Sequence, residues 1–317
     1  MSTADGPSGE DALIRAILAA VPHLAAPDGP GDDAAVVMRA DAARVVTTDA
    51  LIEGTHFLRG HPPEALGWKS LAVNLSDVGA MGARAEAFTL ALALPRGLDR
   101  AWVDAFARGL GACARASGVV IAGGDTVASP GPIVVSITAW GTLAGSPLTR
   151  SGGRAGDVLM VAGPIGRSGL GLVRWLASPQ ARADLLDDPC LRAHLRPEPP
   201  LWAGPLAAAG GAHAGMDLSD GLATDLPRLA RASGLVIVVD LDRLPPDDAV
   251  AAFTSRERAA HGEDYGLAIL APPERAAALG AHGFAAIGFA RDGAPGVLWR
   301  EAGREVEPVV PAFAHFE

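Results

Sequence analysis

EALGWKSLAVNLSDVGAM, residues 64–81, is the stretch on which the reading of this chain turns. Leu71, Ala72, Val73, Leu75, Val78 and Ala80 set apolar side chains nearly all the way round a helix, so this helix is expected to be buried. A polar stripe still runs along it, because Ser70, Asn74 and Asp77 follow four- and three-residue spacing. A carboxylate carried into a protein interior needs a cation, and either an arginine or a metal ion can supply it.

Working outward, the spacing predicts strands over Arg44–Thr48, Ala87–Leu94, Val119–Ala122, Ile133–Trp140, Val158–Val161, Leu235–Asp240 and Gly266–Leu270. Helical periodicity marks Asp11–Ala20, Arg100–Ser117, Arg167–Leu176, Leu222–Ser233 and Glu274–Gly280. Strands and helices interleave through both halves, which predicts a mixed α/β (α+β) class. At 317 residues and 49% hydrophobic content the chain can build two domains. The Gly-, Ser- and Thr-rich run 141–156 lacks a period and is the expected boundary, giving domains over 1–145 and 146–317.

A formal charge of -10, with arginines scattered among acids, argues against a nucleic-acid partner. An acidic protein can still hold phosphates if divalent cations lie between the two sets of negative charge. Lys69 is the sole lysine and follows no glycine-rich turn, which excludes both a Walker A loop and a protein-kinase nucleotide site. Cys113 and Cys190 lack any zinc or disulfide spacing and read as reduced core thiols. Met1–Glu10 carries only acidic charge, and the apolar stretch after it is broken by Arg15 and Pro22. Neither a signal peptide nor a membrane span is expected, and the protein reads as cytoplasmic.

Aspartates recur at the ends of apolar segments: Asp32 and Asp33 in GPGDDAAVV, Asp49 in VVTTDAL and Asp125 in VVIAGGDT. Each alone is an ordinary turn or cap residue, but carboxylates at strand mouths can converge on one crevice. MDLSDGLATDL adds Asp217 and Asp220 across a Ser-Asp-Gly turn that opens a helix, where Ser219 or Asp220 also suits an N-cap. HGEDYG sets Glu263 and Asp264 just before a strand. GPIGRSGLG, residues 163–171, is only loosely like a phosphate-cradling loop, and tight helix–strand packing explains it as well. His56 in EGTHF reads by itself as a structural histidine.

Taken in order, GDDAAVV, TTDALIEGTHF, LAVNLSDVGAMGA, GGDT, LTRSGGRAGD, MDLSDGLATDL and HGEDY resemble the motif series of the thiamine-monophosphate kinases, in the aminoimidazole-ribonucleotide-synthetase-like superfamily. The resemblance runs from about Gly31 to the closing AHF. It implies a two-domain fold whose N-terminal domain dimerises through its sheet, with ATP in an aspartate-lined cleft beside several Mg²⁺ ions. Asp32, Asp49, Asp77, Asp125, Asp217 and Asp220 match the family's metal ligands, and Thr47 and Thr48 stand beside them. Gly124, Arg150 and Ser219 match nucleotide contacts; His56, Glu263 and Phe313 match contacts to thiamine monophosphate. Asp49, Asp220 and Arg150 are the residues the resemblance puts nearest the transfer. The chain departs from the pattern around Ser117 and at Val127, Arg167, His261 and Gly266, on the rim and adenine side rather than among the acids. The implied reaction is direct in-line phosphoryl transfer; the alternatives are an aminoimidazole-ribonucleotide-synthetase-like enzyme and a silent nucleotide-binding homologue.

Overall fold

The computed structural model describes residues 32–38, 43–178 and 185–312. The helix expected over Asp11–Ala20 and the substrate contact expected at Phe313 lie outside the described residues. Two sheets divide the rest. The first has five strands in the order β1-β2-β5-β3-β4: β1 (Ala35–Met38), β2 (Ala43–Ile52), β3 (Ala83–Pro95), β4 (Val120–Ser129) and β5 (Val134–Leu143). Only the β3–β4 pair is parallel.

Helices α1 (Pro63–Ala80) and α2 (Arg100–Ser117) pack together against one face of this sheet. The alternation of β5 shows why: Val135, Ile137, Ala139 and Leu143 are buried toward the helices. They meet Leu71, Leu75 and Val78 of α1 and Phe106 and Cys113 of α2 in one core. The helices come unusually close. A Cβ on Gly109 would lie 1.7 Å from the Glu64 carbonyl oxygen, and one on Gly67 would lie 2.0 Å from that of Phe106. Glycine at both positions is what permits the contact.

The second sheet has seven strands in the order β12-β11-β8-β10-β6-β9-β7, with β11 and β8 its parallel pair. These are β6 (Val158–Ala162), β7 (Ala214–Leu218), β8 (Val236–Asp240), β9 (Gly266–Ala271), β10 (Ala285–Arg291), β11 (Gly296–Glu301) and β12 (Arg304–Val306). Its helices are α3 (Arg167–Ala177), α4 (Pro189–Leu195), α5 (Ala203–Ala209), α6 (Leu222–Ser233), α7 (Ser255–Ala260) and α8 (Pro273–Gly280). Helix α1 is the joint between the halves. Its other side packs on β7 and α5, and Gly204 of α5 approaches it so closely that a Cβ there would lie 1.7 Å from the Gly79 carbonyl oxygen. Covered by its own sheet, by α2 and by the second sheet, α1 is apolar all round for a structural reason.

The opposite face of the first sheet carries no covering element among the described residues. Its edge strand β4 exposes Val120, Ile121 and Val127 at 64%, 55% and 52%. No helix among the described residues is long and apolar enough to cross a membrane.

Candidate active site

The crevice between the halves is built around the C-terminal end of α1. Along its polar stripe, the Ser70 hydroxyl donates back to the Leu66 carbonyl at 2.8 Å. The Asn74 amide donates to the Ser70 carbonyl at 3.0 Å, while its oxygen accepts from the Asp49 backbone N–H at 3.0 Å and fastens β2 to the helix. Asp77 has the Thr47 hydroxyl donating to it at 2.7 Å and no arginine paired with it among the described residues, so within them the arginine alternative for this acid is not the one adopted. From the second half, the end of β7 brings in buried Asp217, which accepts from the Ser76 hydroxyl at 2.8 Å. From the N-terminal segment comes buried Asp33, which accepts from the Asp217 backbone N–H at 3.3 Å. Oxygens of Asp33, Asp77 and Asp217 all lie within 4.8 Å of one another.

Arg150, in the stretch joining the sheets, spans both acids of the GDD string: its guanidinium pairs with Asp33 and its backbone N–H donates to Asp32 at 2.6 Å. Burial works against this guanidinium, but Asp33, Asp217 and Asp32 outweigh it and make Arg150 a firmer cation than usual. One arginine does not neutralise the cluster. Burial, then the like charges of Asp217, Asp49 and Asp33, raise Asp77 well above the ordinary carboxylate range. Burial and Asp33 do the same to Asp217. Asp32 is raised by burial as well. Asp49 is reachable by solvent yet sunk in the crevice; desolvation there and the charge of Asp220 raise it. Carboxylates that resist ionising together are a set of hard oxygen donors short of positive charge, the condition in which a divalent cation binds.

Asp217 and Asp220 do not share a helical face: the first ends a strand and the second stands in the turn before α6. Asp220 is held by the Arg228 guanidinium and by its own N–H, which donates to Asp225 at 2.9 Å. Burial and the neighbouring charge push Asp225 up to about 8. The Ser219 carbonyl accepts from the Glu263 N–H at 2.6 Å, which joins the HGEDYG loop to the same turn. Glu263 sits at a φ of 63°, a left-handed conformation that a side-chain-bearing residue adopts at some strain.

Other expected positions lie elsewhere. Asp49 pairs across the sheet with Ile137 and, through Leu90, with Gly124, a row whose Ile137 points toward the helices. Asp125 is one residue further, so its side chain belongs to the uncovered face, as does that of Thr48, whose hydroxyl donates to the Ile137 carbonyl and accepts from Thr138. With β5 and β3 between them, Asp125 and Asp49 stand about 14 Å apart along the sheet. Within one chain they are not brought together. His56 accepts at Nδ1 from the Ile52 N–H, in the turn that closes β2. The glycine loop at 163–171 does not present a free helix start, because Asp264 accepts from the N–H groups of Gly166 and Ser168. Arg167 is paired with Asp247 there.

The reading of the sequence did not find Ser76, Asp225 or Arg228 as partners of the acids. Ser76 is next to Asp77, and Arg228 is three residues from Asp225 on α6, but nothing in spacing tells such neighbours from solvated ones.

Comparison with known proteins bears on this crevice. The family model for the N-terminal domain of AIR synthase related proteins matches residues 31–143, and that for the C-terminal domain matches 154–295. A thiamine-monophosphate kinase of Mycobacterium tuberculosis is 43% identical over 227 residues, 71% of this chain and 66% of that protein. The corresponding kinase of Salmonella typhimurium is 38% identical over 262 residues, 79% of this chain and 78% of its own length. Among solved structures, AaThiL complexed with AMPPCP and TMP superimposes with a TM-score of 0.83 at 30% identity, covering 95% of each chain.

Proposed function

Because this chain belongs to the AIR synthase related family and, within it, to the thiamine-monophosphate kinases, we propose that it transfers the γ-phosphoryl group of ATP to thiamine monophosphate, giving thiamine diphosphate and ADP. The observation that carries this reading is the convergence of Asp33, Asp77 and Asp217 beside Arg150, an arrangement made to hold polyphosphate through cations. The relative solved with AMPPCP and TMP supports the same two ligands.

The donor set fits Mg²⁺: carboxylate oxygens only, crowded and reluctant to ionise without a counter-charge. Asp33, Asp77 and Asp217 would hold one ion, with Asp32, Asp49 and Asp220 at hand for others. Mg²⁺, when bound, supplies the positive charge that neutralises the transferring phosphates. The protein's own groups do the rest. Arg150 offers a planar fork to the triphosphate, and Ser219 stands at the turn beside it. Asp49 and Asp220 flank the crevice from its two sides. The acceptor phosphate has a second pKa of about 6, is already dianionic at neutral pH, and needs no general base. Its oxygen forms the new P–O bond as the bond to ADP breaks, in line and without a phosphoenzyme.

The reading also makes the protein a homodimer through the uncovered face of its first sheet, which supplies a reason for apolar side chains along an exposed edge strand. Thr48 and Asp125 then belong to the paired surface, which gives a reason for Asp125 to lie on the far side from Asp49, while Gly124 stays in the row that faces the helices. The test is product formation by the purified protein from ATP, Mg²⁺ and thiamine monophosphate, with EDTA and free thiamine as controls. Metal-dependent thiamine diphosphate from the monophosphate alone is expected; ATP binding with no product would refute the substrate.

A further inference from the structure

Lys69, the only lysine of the chain, is wholly buried in the middle of α1. A buried ammonium is expensive unless paired, and here it is paired off the acid cluster. Its Nζ meets Glu263 Oε1 at 2.9 Å and donates to the His194 carbonyl at 3.2 Å. The other carboxylate oxygen, Oε2, lies 3.1 Å from His194 Nδ1. Two elements distant in sequence, α1 and α4, thus grip one carboxylate carried by the loop before β9.

The charges around it can be assigned. Burial, then Lys69, lower His194, and burial with Lys69 and His194 lowers His61 to about 3, so both rings are neutral. His61 Nε2 lies 3.0 Å from the Leu195 carbonyl, and its Nδ1 is buried without a hydrogen-bond partner among the described residues. An ionised carboxylate only accepts, so His194 must carry its proton on Nδ1, the nitrogen that also lies 3.4 Å from the Ser168 hydroxyl. The Glu263 side chain keeps 30% of its surface open, whereas Lys69 keeps none. Each of its oxygens is engaged by one buried donor and retains a second lone pair. The loop that carries it is fastened to Ser219 and strained at Glu263 itself. Backbone strain of this kind clusters at ligand-binding and active sites.

We propose that Lys69 and His194 are positioning residues that fix the Glu263 carboxylate for the cationic ring system of the phosphate acceptor, leaving the nucleotide end to the acid cluster. The proposal rests on the kinase reading above. It assigns the buried lysine to acceptor recognition, although α1 carries Asp77 of the acid cluster as well.

The test is a double-mutant cycle between Lys69→Met and Glu263→Gln, with Lys69→Arg as the conservative variant and steady-state kinetics in each substrate. Loss of a hydrogen bond to a charged group corresponds to about a 10- to 100-fold change. Lys69→Met is expected to raise KM for thiamine monophosphate by about that factor and to leave KM for ATP within about twofold. In the Glu263→Gln background it should add almost nothing, and Lys69→Arg should recover part of the loss. The double variant buries no unpaired charge, so it reports even if Lys69→Met alone folds poorly. Losses that add in an active enzyme, or equal rises in both KM values, would overturn the role of Lys69 alone. A wild-type protein that makes no thiamine diphosphate would overturn the kinase reading and this inference with it.

Discussion

Asp217→Asn separates a metal-holding acid from a structural one. Asp217 is 4% exposed, and its oxygens lie within 4.8 Å of those of Asp33 and Asp77. Two full charges at that limit repel by about 3.5 kcal/mol at an effective dielectric of about 20. The cluster avoids part of this by binding protons, and Arg150 offsets another part, so replacing the carboxylate should relieve about 1–3 kcal/mol in the metal-free protein. Asparagine keeps the oxygen that accepts from Ser76 at 2.8 Å, and its new N–H groups face acceptors on Asp33 or Asp77. The expected sign is therefore unusual for a fully buried polar site: in EDTA, Asp217→Asn melts higher than the unmodified protein. With Mg²⁺ the order reverses. A ligand at a hundredfold excess over its Kd stabilises by about 2.7 kcal/mol, and the variant, having lost a donor, should forfeit most of that gain. Turnover should drop at least about 100-fold. Thermal melts in EDTA and in Mg²⁺, beside thiamine diphosphate formation, read all three. A variant that melts lower in EDTA yet keeps the full Mg²⁺ response and turnover would show that the triad is structural.

Other outcomes follow from the same geometry. Asp77 and Asp217 have raised values in the folded state, so the metal-free fold loses stability as pH rises through that raised range, and Mg²⁺ must displace protons to bind. Calorimetry should show proton release on binding and an affinity that climbs as pH rises through that raised range; a flat profile would contradict the assignment. Val127→Glu puts a charge on the exposed edge strand and should turn the proposed dimer into a monomer by light scattering, whereas an unchanged mass would move the interface elsewhere. Gly109→Ala forces a methyl group to within 1.7 Å of the Glu64 carbonyl oxygen, parting α1 from α2 at about 3 kcal/mol or more in denaturant unfolding; a neutral effect would mean the helix pair can slide.

What the sequence made legible was what repeats along it or spans a long motif. Helix α1 shows itself through periodicity, and its Asp77 through being the wrong residue for a buried helix. Helices α4 and α5 have seven residues each, too few for a period, and both escaped notice. The sequence ends β4 at Ala122 because GGD reads as a turn, yet the strand continues to Ser129 past a register shift at Ala122, which has no partner on β3. Gly124 is there not to turn the chain but because a Cβ would lie 2.1 Å from the Leu90 carbonyl oxygen of the neighbouring strand. Side-chain direction is equally invisible: Asp32 and Asp33 are adjacent carboxylates, and only the fold sends the second into the triad while the first caps the Arg150 N–H.

The same limit explains Lys69. Read along the chain, its only message was that two common nucleotide sites are absent, since its partners are 125 and 194 residues away. A lone lysine in an acidic chain could be a surface accident, and its full burial against Glu263 removes that reading. Removing one partner of such a pair leaves an uncompensated buried charge, a loss of about 3–5 kcal/mol, whereas removing both is often neutral. The pair is thus not needed for stability as such. What the fold gains by keeping it is a half-open carboxylate held at two points and tied through its own backbone N–H to the Ser219 carbonyl.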